Sequence, residues 1–139
     1  MTGQLRLRIN IIIADNELRL CVVHCLSDLP QVEVIWQGSR LSEMPRALVA
    51  DLVLLGVEGA EVVATTARLS QEYHLPVLLV ALVAQHSPAW IFEAMGRGAL
   101  DVVQLHPTVQ GLRSQNRQLL HDKVVQLVRL LGKPVRKVA

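Results

Sequence analysis

Five short runs of nearly continuous apolar residues punctuate the chain, at 7–14, 32–37, 52–55, 77–83 and 101–104. Runs of this length with little polar alternation are what strands need when both of their faces are covered, as in a parallel sheet. Helical periodicity lies between most of them. Leu18, Cys21, Val22, Cys25, Leu26 and Leu29 recur on one helix face, and Val62, Thr66, Leu69 and Tyr73 form a weaker one. The stretch "SPAWIFEAMGRG" opens with Ser87 as a helix N-cap and Pro88 at the first helical position, and it ends in glycines. Leu120, Val124, Leu127, Val128 and Leu131 make a last face, stopped by Gly132 and Pro134. The segment between strands two and three, "GSRLSEMPRALVA", contains Pro45, so its helix is expected to be short or broken.

Strands alternating with helices imply a parallel sheet with helices on both faces. With five strands, the expected class is an α/β three-layer sandwich of the flavodoxin-like type, with strand order 2-1-3-4-5. The 139 residues suit one domain, and with aromatics at 3% its core must be built from Leu, Val, Ile and Ala. A net charge of +2, scattered along the chain, argues against nucleic-acid binding. The only local basic cluster is Lys133, Arg136 and Lys137, so 132–139 reads as a linker-like tail after a domain at 1–131. "INIIIA" is too short to cross a bilayer, and no membrane association is expected. Cys21 and Cys25 sit four apart on one helix face, the spacing of buried hydrophobes; a reducing cytoplasm fits them.

In such a fold, chemistry sits outside the carboxyl ends of strands one and three. After strand one come Ala14, Asp15, Asn16 and Glu17; strand three runs into Gly56, with Glu58 in the next loop; Ala81 ends strand four; Leu105 and His106 follow strand five. The loop after strand one lacks the Ser, Thr and Gly donors of a phosphate cradle. No G-x-G-x-x-G joins a strand to a helix; Gly96 and Gly98 follow a helix and read as its C-cap. No nucleophile elbow is present, and of the five histidines only His86 and His106 fall near the same end of the sheet, too few for a metal site. Asp15 is open to two readings, a helix N-cap or a weak metal ligand. No cofactor is expected.

The stretches "INIIIADNELRL", "VEVIWQGS" (32–39), "IFEAMGRGALDVV" (91–103) and "LLHDKVVQLVRLLGKP" (119–134) resemble response-regulator receiver domains, most of all the N-terminal receiver of chemotaxis protein-glutamate methylesterases. The resemblance implies transfer of a phosphoryl group to an aspartate ending strand three. An acidic pair after strand one would hold Mg²⁺, strand four would supply a hydroxyl, and a lysine would precede a proline after strand five. At those positions this chain has Gly56, Ala14 with only Asp15 of the pair, Ala81, and Leu105 or His106; the aromatic switch position on strand five is Val102.

The expectation is therefore a non-phosphorylatable pseudo-receiver. It would be no enzyme but a protein-interaction module in two-component or chemotaxis-type signalling. Its partners would be a histidine kinase, a methylesterase or receptor-complex components, and homodimerisation is compatible with it. One alternative is a phosphate-independent small-molecule sensor using the emptied crevice; others are the regulatory domain of a longer methylesterase and a receiver with Glu58 as substitute acceptor. A crevice filled by Leu105 and His106 would favour interaction, and an open one would favour a ligand. The expected working face joins the helix before strand five, strand five and the last helix, with Trp90 exposed and Ile91 and Met95 packed inward.

Overall fold

On the first strand, odd positions face one layer and even positions the other. Leu7, Ile9, Ile11 and Ile13 are buried on one side, while Ile12 lies in a second cluster on the other. That two-sided burial fits a strand inside the sheet, covered by a helical layer on each face. The computed structural model describes residues 4–83, 88–106 and 114–135. Its elements are β1 (Leu5–Ile12), α1 (Asn16–Leu26), β2 (Val32–Gly38), a 3₁₀ turn (Leu41–Glu43), β3 (Leu52–Gly56), α2 (Glu61–Gln71), β4 (Val77–Leu82), α3 (Pro88–Gly96), β5 (Ala99–Leu105), α4 (Ser114–Leu131) and β6 (Lys133–Pro134). The strands run parallel in the order β2-β1-β3-β4-β5, and β6 pairs antiparallel with the start of β1.

The helices divide between the faces. Val22, Cys25 and Leu26 of α1 pack with Leu120, Val124, Leu127 and Val128 of α4 against one side. Val62 and Leu69 of α2, Ala94 of α3, and Leu41 and Met44 around the 3₁₀ turn cover the other. This is the flavodoxin-like three-layer arrangement. Among the described residues no helix is long and apolar enough to cross a membrane.

Several expected boundaries shift for identifiable reasons. β1 stops at Ile12 because the chain must leave the sheet for Asp15 to cap α1. α1 ends at Leu26, so Leu29 lies beyond the helix, although it still packs on the core. β5 is longer at both ends than expected and takes in Leu105. The tail begins as part of the sheet: Lys133 and Pro134 pair with Arg6 and Leu5, and the Val135 N–H donates to the Gln4 carbonyl at 3.0 Å. Ser87, His86, Arg136 and Lys137 lie outside the described residues.

Between β2 and β3 only the 3₁₀ turn forms, as Pro45 implies. Glu43 Oε1 accepts from the backbone N–H of Ser39 and Arg40 at 3.0 and 3.1 Å, which fixes the entry to the turn. Asp51 closes the segment against β1, accepting the Arg8 backbone N–H at 2.9 Å, and the Arg46 guanidinium lies 4.9 Å above the Tyr73 ring.

Candidate functional site

Asp15 sits in extended conformation before α1, and its Oδ1 accepts the Leu18 N–H at 3.0 Å. Of the two sequence readings, the helix cap is the one this geometry realises. β3 carries the chain to Gly56 at the same end of the sheet. Two residues on, Glu58 turns back across the gap between the two loops. Its Oε1 accepts the Ala14 N–H at 2.7 Å and its Oε2 the Asp15 N–H at 3.0 Å. A Cβ placed on Gly56 would lie 2.6 Å from Glu58 Oε1 and 3.3 Å from both γ-carbons of Ile13. The Glu58 carboxylate thus occupies the space beside Gly56 where a side chain would begin. Sequence reasoning found Glu58 only as a substitute acceptor. The pairing with Ala14 and Asp15 spans more than 40 residues and leaves no local signal.

Arg19 secures the rest of this end. It donates to the Ile13 carbonyl at 2.7 Å, to Ser39 Oγ at 3.0 Å and to Gln37 Oε1 at 3.3 Å, and it also contacts Asn16 Oδ1. The ends of β1 and β2 are thereby tied to α1.

The other expected site residues are dispersed. Ala81 is buried in the cluster beneath α2 and α3. Val102 is half-buried against that same cluster. Leu105 does not fill a crevice. It ends β5, fully buried beneath α1 and α4, because the longer strand carries it into the core. His106 is exposed, and its backbone is held by the buried Asn116, which accepts the His106 N–H at 2.8 Å and donates to its carbonyl at 2.7 Å. The open space lies at the ends of β1 and β3, on the side of the 3₁₀ turn and α2: a cavity of about 450 Å³ lined by Ile12, Leu41, Leu55 and Val62 and by Arg40, Glu61 and Thr65, with Ala14, Gly56 and Glu58 also on its wall.

On α3 the exposed aromatic is Phe92 rather than the expected Trp90. Trp90 is half-buried against the core with Ile91 and Met95, while Phe92 is 76% exposed. Residues 90 and 91 both find cover from the α2 side, and the outward direction falls to 92. Leu100 on β5 and Leu119 and Leu130 on α4 are also exposed. Lys123 of α4 reaches Asp101 of β5, Nζ to Oδ2 at 2.6 Å. Leu119 and Leu130 stand four before and seven after it, on the helix stripe that borders β5. Burial alone would raise the Asp101 carboxyl, but the hydrogen bond from Lys123, the Val102 backbone N–H and the lysine charge outweigh it and hold the group below the usual aspartate range. Burial pushes the Cys25 thiol up, and both cysteines are free, in keeping with a packing role.

No protein-family profile matches the chain. Among curated proteins it is 32% identical, over 92 residues and 65% of its length, to a protein-glutamate methylesterase/protein-glutamine glutaminase of Mesorhizobium japonicum. It is 29% identical over 131 residues, 86% of its length, to one of Burkholderia lata. The chain spans only 26% and 38% of those two proteins. Among solved structures, the response regulator domain of Thermotoga maritima CheB superposes with a TM-score of 0.68 at 17% identity, over 91% of this chain and 96% of that one. The fold is that of a response-regulator receiver domain.

A receiver's divalent cation asks for several oxygen ligands in near-octahedral geometry, carboxylates foremost. The donor set at the β1 and β3 ends of this chain does not fit it. Ala14 contributes no carboxylate, Asp15 has one oxygen committed to capping α1, and both Glu58 oxygens are turned onto backbone amides. Among the described residues no group of three His, Cys, Asp or Glu side chains could hold a metal ion.

Proposed function

We propose that this receiver-type chain works without phosphoryl transfer, as a cytoplasmic protein-interaction module in chemotaxis-type or two-component signalling. One observation carries the reading: β3 ends in Gly56, and the Glu58 carboxylate fills the space beside it. Phosphoryl transfer needs a nucleophile held in line and charges prearranged around the transferring group. Gly56 offers no nucleophile, Ala81 no hydroxyl, and neither Leu105 nor His106 a permanent cation. Glu58 is a poor substitute acceptor, since an attacking oxygen would have to give up a backbone hydrogen bond. With no reacting group at the site, the chain is no enzyme; it conveys signal by binding.

The proposed binding face is α3, β5 and α4, with Phe92, Leu100, Leu119 and Leu130 as its apolar contacts and Trp90 and Val102 packed beneath as its support. Large exposed apolar groups clustered on one face are typical of interfaces. The fitting partners are a histidine kinase, a methylesterase or receptor-complex components, a second copy of the chain being compatible with the same face. The similarity to methylesterases also supports a role as the regulatory part of such a protein.

The test is incubation with acetyl phosphate and Mg²⁺ followed by intact-mass measurement. No phosphoryl adduct is expected, on the native chain or on Gly56→Asp. An adduct on the native protein that Glu58→Ala removes would overturn the reading in favour of Glu58 as acceptor.

A further inference from the structure

The cavity beside β3 exists because Pro45 breaks the connection between β2 and β3. A single 3₁₀ turn covers a stretch of sheet that a full helix could otherwise seal, and a gap opens between that turn and α2. At about 450 Å³ it lies at the small end of ligand sites, which run from about 300 to 1,000 Å³.

Its floor is apolar: Ile12, Leu41, Leu55 and Val62 are all buried. Its rim is polar, and the polar groups are unequally engaged. Glu58 is satisfied by two backbone N–H groups, and Ser39 Oγ already accepts from Arg19. Among the described residues, the Arg40 guanidinium, the Glu61 carboxylate and the Thr65 hydroxyl have no hydrogen-bond or ion-pair partner. The uncommitted charge is therefore one cation and one anion above an apolar floor. A simple anion would meet Glu61 and Glu58, and a simple cation would meet Arg40. A molecule carrying both charges and an apolar body meets neither repulsion.

We propose that this cavity binds a small aliphatic zwitterion, an α-amino acid with a branched apolar side chain. Its carboxylate pairs with Arg40, its ammonium with Glu61, and its side chain rests on Ile12, Leu41, Leu55 and Val62. The inference rests on the cavity and goes beyond the phosphoryl-independent reading, which stands or falls by mass measurement alone.

Calorimetric titration with L-leucine tests it, alongside 4-methylpentanoate, which lacks the ammonium, and isoamylamine, which lacks the carboxylate. Leucine is expected to bind at least tenfold more tightly than either analogue. Arg40→Gln and Glu61→Gln, both at exposed positions that leave the core untouched, should each weaken leucine at least tenfold. No heat and no thermal shift at millimolar leucine would overturn the proposal. So would equal binding of the analogues, or leucine affinity unchanged in both variants.

Discussion

Glu58 and Gly56 compete for one volume, and the competition can be measured. Gly56→Ala puts a methyl group 2.6 Å from Glu58 Oε1, and the flexible carboxylate is what must yield. In yielding it releases the N–H groups of Ala14 and Asp15. Hydrogen bonds to a charged group contribute roughly 1.5–3 kcal/mol each when buried. These two lie at the surface, where water replaces the lost acceptor, so the pair is worth about 1–2 kcal/mol together. Against this, replacing glycine by alanine restricts the unfolded chain and returns about 0.4–1 kcal/mol. The 3.3 Å approach to Ile13 uses up part of that gain. Gly56→Ala alone should thus cost about 1 kcal/mol, and Glu58→Ala alone about 1–2 kcal/mol. In the double variant the methyl group has nothing left to displace. Its stability should match Glu58→Ala within about 0.5 kcal/mol, a coupling of about 1 kcal/mol. Urea unfolding of the four proteins, followed by circular dichroism and tryptophan fluorescence, reads each step; about 1 kcal/mol corresponds to roughly 4 °C in Tm for a chain of this size. Strictly additive losses would show that Glu58 does not occupy the space beside Gly56.

Asn10 is fully buried in β1 with neither amide atom partnered among the described residues, so Asn10→Val should stabilise the fold by about 1–2 kcal/mol in the same urea assay; a loss of stability would show that the amide is satisfied. Gly98 has φ of +124°, and a Cβ there would meet Ser70 Oγ at 2.4 Å, so Gly98→Ala should cost about 2–3 kcal/mol, and a neutral effect would contradict that backbone. Asp101 is held below its ordinary range by Lys123, so it stabilises the fold above the unfolded-state value and loses that contribution as pH falls through the folded one. The stability gap between the native protein and Lys123→Gln should be full at pH 7 and close below about pH 4, and a gap independent of pH would refute the ion pair.

Local pattern determined a good deal. The apolar runs around Leu52 and Val77 read as strands buried on both faces, and the helical periodicity between them implied parallel crossovers; the order 2-1-3-4-5 was the expectation that suited five such strands. Asp15 before an apolar-periodic segment marked the start of α1, and Pro45 marked the broken helix. The missing side chain at Gly56 was legible because the end of a strand is a local property. What occupies that gap was not. Glu58 reaches Ala14 across 44 residues, and only the sheet, by setting β1 beside β3, makes them neighbours. The same limit explains Trp90 and Phe92: a run of three large apolar residues says that one must face outward, but the neighbour that covers the others belongs to a different element. It explains Leu105, the one residue by which β5 runs past its expected end, and Lys133 and Pro134, which read as a tail until the unpaired start of β1 offers them hydrogen bonds. The cavity is tertiary in the same sense. Sequence could say that a helix was missing, and only packing decided that the space it left stayed open, with Arg40 and Glu61 on its rim.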